Sequence, residues 1–242
     1  MEDLNKACRF LSDKYSMKTI GELASSFNFG YEFSLFSKSA IRNVVNEMVG
    51  DSIEVAKQNT DKNITLKTIG MTKCGNKKFD NKLFTVDFGN LLNKELPFEK
   101  SQFYKYFKDN VFVYAMYEFP DKKIYSQGDC LFLGFKVVEF DDLFIETQVK
   151  KTWDEMRDIV FSGRLKDIPA LDKYGDPIIN LSGTIRSAPN FPKSSDGVVF
   201  IRGGGVDATE KPICISGVSM YRQSVWLRGD YVLKRLLSEV FL

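Results

Sequence analysis

The 242-residue sequence contains no histidine. That excludes Ser–His and Cys–His nucleophile pairs, a histidine general base and nearly all the usual zinc constellations. Cysteine is sparse: Cys8, Cys74, Cys130 and Cys214 lie far apart, with no Cys-x-x-Cys pair. Such usage predicts reduced, mostly buried thiols in a cytoplasmic protein. No run approaches the ~18 consecutive apolar residues of a membrane-spanning helix. The opening residues, MEDLNKACRF, lack the charged-then-apolar order of a secretory signal. A soluble protein without a membrane partner is the expectation. Net charge is also nearly absent. Thirty-four basic residues against 32 acidic ones leave +2, which is not the balance of a wholesale polyanion binder.

What is present is the composition of a globular chain, 43% hydrophobic and 27% charged, long enough to bury a core as one domain spanning 1–242. The charge is unevenly placed. Glu54 to Lys82 holds seven lysines against three acids, and Asp141 to Asp158 holds six acids against three bases. Tyr221 to Leu242 carries Arg222, Arg228, Lys234 and Arg235 against Asp230 and Glu239. A nearly neutral protein with separated basic segments can still present one basic face.

Apolar spacing predicts helices through Leu4, Cys8, Leu11 and Tyr15, through Ile20 to Phe27, and through Ile41 to Val49 with Ser37 as a cap. From Ile64 the period changes to strands in ITLKTIGM, KLFTVDF, NVFVYAMYEF and DCLFLGFKVVEF, interrupted by a short helix over Lys100 to Phe107. KKTWDEMRDIVFSG returns to helical period and stops at Gly163. Residues 168–217 are rich in Gly, Pro, Ser and Asp, with short strands in VVFIR and ICISGV; loops this long are usually functional or mobile. DYVLKRLLSEVFL closes the chain as an amphipathic helix. The order predicts one α/β or α+β domain, a central mixed sheet flanked by helices.

Metal-dependent nucleases place an acid two residues before a lysine on one strand. Alternation puts both on one face, the acid holding Mg²⁺ and the lysine stabilising developing charge. Here ITLKT delivers Lys67 in an apolar setting, with Thr65 at the acid position.

ITLKTI resembles the VELKTI-type strand of the MutH mismatch-repair endonuclease family, which includes GATC-cutting restriction enzymes of the Sau type. The likeness continues in order. KSAIRNVVNEMVGD resembles the family's first active-site helix, SQFYKYFKDNVFVYAMYEF its Ser-x-x-x-basic helix and hydrophobic strand, TWDEMRDIVFSGRL its Trp-containing helix, and SVWLRGDYVLKRLL its closing segment. The series runs from about Ile20 to the C-terminus. It implies a restriction-endonuclease-like MutH fold that binds GATC-type duplex DNA.

The departures decide the expected activity. The family's helix glutamate falls on Asn46, with Glu47 beside it. Its strand glutamate falls on Thr65, and its upstream aspartate falls near Gln58, where Asp61 is the nearby acid. Lys67 alone survives. Without carboxylates a hard cation has little to hold it, so no catalytic residue and no metal are expected in this chain. The resemblance implies the effector copy of a two-copy restriction enzyme, a fragment whose linked catalytic domain would use Mg²⁺, with dimerisation on DNA as an option.

The reading residues implied are Arg186 in GTIRSAPNFPKSS, Ser187 and Lys193 beside it, Arg202 in VVFIRGGG, Trp226 and Arg228. Arginine bonds bidentately to guanine, whereas lysine and hydroxyls suit phosphates. Ser194 and Ser195 are further hydroxyls of that loop, and Gly203, Gly204 and Gly205 permit close backbone approach. Two alternatives stand beside this one. One is an active Mg²⁺-dependent nuclease with relocated acids Glu47 and Asp61 beside Lys67; the other is a structural or dimerising domain.

Overall fold

The helical spacing from Leu4 to Tyr15 is realised as α1 (Glu2–Tyr15), and that of the next segment as α2 (Ile20–Ser25). In α2, Thr19 and Glu22 form a reciprocal capping box, with Glu22 N–H donating to Thr19 Oγ1 at 3.2 Å and Thr19 N–H to Glu22 Oε2 at 2.7 Å. The remaining helices are α3 (Ala40–Lys57), α4 (Phe88–Leu91), α5 (Gln102–Lys108), α6 (Asp142–Phe144), α7 (Lys150–Phe161) and α8 (Gly229–Ser238). A π-helical turn at Ile145–Val149 joins α6 to α7. The strands are β1 (Asn63–Thr72), β2 (Asn81–Thr85), β3 (Asn110–Phe119), β4 (Leu131–Val138), β5 (Asp167–Pro169), β6 (Ser187–Pro189), β7 (Val199–Gly204), β8 (Ile213–Ile215), β9 (Val218–Met220) and β10 (Arg222–Leu227). This computed structural model describes residues 2–29, 33–37, 39–57, 60–72, 79–121, 125–180, 183–204 and 211–238, without the side chains of 51–57.

The chain forms two units, each built from separated segments. The first takes Met1–Phe79, Asp109–Phe140 and Gly229–Leu242; the second takes Asp80–Lys108 and Asp141–Arg228. The architecture is mixed α+β. The expected central sheet is represented by two three-stranded sheets, one per unit.

In the first unit the sheet order is β1-β3-β4, with β1 parallel to β3 and β3 antiparallel to β4. A parallel pair needs a long crossover; here the chain between β1 and β3 passes through the second unit. Strand β3 is the middle strand and buries Val111 through Met116 without a break, which explains a continuous apolar run rather than an alternating one. Helix α1 packs on β4 and α3 on β1. In α3 the stripe Ile41, Val44, Val45, Met48 and Val49 is buried. Ser37 sits two residues before the predicted role: its hydroxyl accepts from Ser39 N–H at 3.2 Å, and the helix starts at Ala40. Lys136 on β4 is buried and donates its ammonium to the Leu236 carbonyl in the last turns of α8, where the helix dipole favours a cation. Cys8 and Cys130 lie in this core, and burial pushes their thiols up to about 12 and about 11. Cys214, the middle residue of the short strand β8, is exposed, contrary to the expectation for most thiols. Cys74 lies outside the described residues.

The second unit carries an antiparallel sheet of order β2-β10-β7. Its aromatic core includes Phe98 against Trp153 at 5.4 Å, Phe84 edge-on to Phe103 at 5.3 Å and Phe107 against Phe144 at 5.9 Å. On α7, Arg157 lies over Trp153 and Phe161 and donates to the carbonyls of Leu91 at 2.7 Å and Asn93 at 2.8 Å, holding the chain after α4. The stretch expected to be loop is partly ordered. Strands β5 and β6 pair antiparallel, and backbone bonds continue outward between Ala170, Ile178 and Arg186, forming a narrow β-arm. ICISGV is not one strand. Ser216 and Gly217 take φ of 50° and 80°, two successive left-handed residues that close the β8–β9 hairpin.

Candidate functional site

The predicted catalytic positions lie in the first unit. On β1, Thr65 and Lys67 share a face by alternation, both half-buried. Thr65 Oγ1 donates to Asn110 Oδ1 at 2.7 Å, a neutral hydrogen bond on the strand that carries Lys67. Asn46 and Glu47 are exposed on the face of α3 opposite its buried stripe. Asp61 is exposed at the bend before β1, beside Lys62, whose ammonium pairs with Glu139 Oε2 at 2.6 Å. Gln58 lies outside the described residues. Among the described residues, no group of three His, Cys, Asp or Glu side chains is arranged to hold a metal ion.

The predicted reading residues lie in the second unit, and four of them meet. A groove of about 660 Å³ is lined by Arg186, Ser187, Lys193 and Arg202, together with apolar residues of the β-arm and of β7. Three lining residues are cations and none is an acid. Positions 186 to 202 converge because the chain after β6 turns at Lys193–Asp196 and the Ile201 N–H of β7 donates to Pro192 O at 2.8 Å.

Each side chain is held differently. The Arg186 backbone is fixed on both sides, its N–H donating to Ile178 O at 2.8 Å and its carbonyl accepting from Ala170 N–H at 2.7 Å. Its guanidinium is exposed and makes no hydrogen bond or ion pair among the described residues. It is a cation presented from an ordered arm rather than from a slack loop.

Lys193 opens a turn that Asp196 closes, with Lys193 N–H donating to Asp196 Oδ2 at 2.7 Å. Its ammonium donates to Pro189 O at 2.5 Å, leaving two donors for a ligand. Burial pushes the Lys193 ammonium below its ordinary value, and Asp196 and Asp167 offset this only in part. Ser194 lines the groove, whereas Ser195 donates to Asp196 Oδ1 at 2.9 Å.

Arg202 pairs with Asp80 Oδ2 at 2.7 Å and lies over the rings of Phe200 at 5.1 Å and Trp226 at 4.9 Å. The sheet register explains this stack: Phe200 and Arg202 are i, i+2 neighbours on β7, and Trp226 is directly opposite Phe200 on β10. Trp226 is half-buried, and its Nε1 finds no hydrogen-bond partner among the described residues. Arg228 follows β10, anchored by its N–H to Val198 O at 2.8 Å, and does not line the groove. Gly205 lies outside the described residues.

Sequence reasoning missed a group beside the groove. Ser187 Oγ donates to Asp167 Oδ2 at 2.7 Å, and Lys211 Nζ donates to both, at 2.8 Å to Asp167 and 2.9 Å to Ser187. Burial alone would raise the Asp167 carboxyl, but the bonds from Lys211 and Ser187 prevail and hold it low. The arrangement resembles a serine–lysine pair, yet Lys211 donates to the Ser187 oxygen and does not accept its proton. The Ser187 proton is committed to Asp167, so the trio braces the base of the arm. Tyr221 and Gln223, also lining the groove, carried no sequence signal because only the β10–β7 register brings them there.

No helix among the described residues is long and apolar enough to cross a membrane. Neither a scan against protein-family models nor a search of curated proteins returns a match to this sequence.

Proposed function

We propose that this chain binds double-stranded DNA through the cationic groove of the second unit. In this reading it is a MutH-like domain without a cutting centre that recognises a GATC-type site and acts as effector of a linked or partner type II nuclease. One observation carries the binding reading: Arg186, Lys193 and Arg202 line a single groove with no lining carboxylate. A groove of that charge draws phosphates. The MutH-like part rests on the ordered series of motifs and on the neutral Thr65–Asn110 pair beside Lys67.

The test is a gel-shift series with GATC and scrambled duplexes. Arg186→Ala is expected to cost about 1–3 kcal/mol of discrimination between them if the guanidinium bonds a base edge. Lys193→Ala is expected to weaken both duplexes alike, as a phosphate contact does. Unchanged specificity in Arg186→Ala would remove the reading role from the arm.

The pH response follows from Lys193. Its ammonium is easier to deprotonate than an ordinary lysine because burial disfavours the charge. A bound phosphate favours the charged form, so binding takes up a proton once pH exceeds the free groove's value. Affinity should therefore fall as pH rises toward the ordinary lysine range, beginning below it. Lys193→Arg should flatten that fall, since guanidinium stays charged. An identical decline in both proteins would contradict the assignment.

A further inference from the structure

We infer that the groove accommodates one unstacked nucleotide, swung out of the duplex, with its base in the apolar half and its phosphate at the cations. The inference rests on the DNA-binding reading and specifies what enters the site. Phosphate binding accounts for Arg186, Lys193 and Arg202. It does not account for the rest of the lining, where Ile168, Pro169 and Ile178 border the same space as Tyr221.

Size points the same way. A volume of about 660 Å³ falls within the range of small-molecule pockets, about 300–1,000 Å³. A paired duplex keeps its bases stacked inside and offers only phosphate ridges and groove edges, so it would touch the rim and leave the apolar lining wet. A flat base with one attached phosphate matches both halves. Enzymes and binders that extrude a nucleotide hold it by stacking on aromatic or apolar side chains and by bonds to its edge.

The floor supplies an edge-reading group. Gln223 is 1% exposed yet lines the groove, and its Nε2 donates to Tyr221 O at 2.8 Å, which fixes the carboxamide. Gln223 lies opposite Gly203 in the ladder. A Cβ at Gly203 would stand 3.0 Å from Gln223 Nε2 and 3.4 Å from Tyr221 Cβ, so glycine keeps side-chain atoms off this part of the floor. A carboxamide carries both donor and acceptor, the pair a base edge requires.

The experiment measures affinity for GATC duplexes in which each position of the site is mismatched in turn, beside the fully paired duplex. Extruding a base costs least where its pairing is already lost. One mismatch position is therefore expected to bind about tenfold tighter or more than the paired site. Tyr221→Ala, which removes the ring, and Ala188→Leu, which fills part of the groove, are each expected to reduce that preference toward one. If the paired duplex binds as tightly as every mismatched one, the extruded-nucleotide inference is overturned while DNA binding stands. A preference untouched by both variants overturns its placement in this groove. Absence of binding to any duplex overturns both readings.

Discussion

Given Mg²⁺ and duplex DNA, the chain is expected to bind without cutting, at any molar excess over DNA. The cleaved phosphodiester and the attacking hydroxide are both anionic, and a metal is needed to draw them together and activate the water. Holding Mg²⁺ at such a site takes carboxylates, because the ion favours anionic oxygen. On the strand that carries Lys67, the neighbouring same-face group is Thr65, bonded to the neutral Asn110 amide. Glu47 and Asp61, the acids that a relocated centre would use, are each exposed, one on α3 and one at the bend before β1. Lys67 attracts a phosphate but positions no water. The measurement is plasmid nicking by a preparation free of contaminating nuclease. Mg²⁺-dependent nicking lost in both Lys67→Ala and Glu47→Gln would establish the relocated centre and sink the silent-domain reading.

Much of the fold was legible because single elements carry their own signal. The periods of α1, α3 and α7 and the apolar run of β3 are local facts; α1, α7 and β3 appear within a few residues of their expected bounds, whereas α3 runs on past Val49 to Lys57. Pairing was less legible. Nothing local tells that β1 runs parallel to β3, or that KLFTVDF leaves its neighbours to join β10. KLFTVDF also ends early as a strand, since the Asp87 side chain accepts from Gly89 and Asn90 N–H and starts α4. The 168–217 stretch read as loop because its β-arm is only a few residues wide and depends on cross-arm backbone bonds, which composition does not encode.

The site divides in the same way. Arg186, Lys193 and Arg202 stood out as cations in a region of turn-forming residues, and the structure gathers them in one groove. Lys211 and Asp167 did not stand out. They lie 44 positions apart in sequence and meet directly, beside Ser187, only in the folded chain. Ser187 illustrates the limit of residue type as a guide: its hydroxyl suited a phosphate, but Asp167 already takes its proton. Trp226 is likewise not an open stacking platform, because the Arg202 guanidinium covers its ring.

The largest graded effect expected is on salt dependence. Each phosphate neutralised releases counterions, so log affinity falls against log salt by about 0.9 per contact on duplex DNA. The three lining cations give a slope of about −2.7, and Arg222 and Arg228 at the two ends of β10 bring it to about −4.5. Between 50 and 200 mM salt, affinity should then drop about 40- to 500-fold. Arg202 is the informative residue, because Asp80 already pairs with it at 2.7 Å. A phosphate must share or displace that carboxylate, and a partly exposed pair of this kind is worth only about 1 kcal/mol. Arg202→Ala should make the slope shallower by about one, whereas Asp80→Asn should tighten binding and leave the slope nearly as it was. The two variants therefore move affinity in opposite directions through one contact. A slope near zero in the parent protein would mean that whatever binds is not held by its phosphates, and a pair of variants moving together would take Arg202 out of the interface.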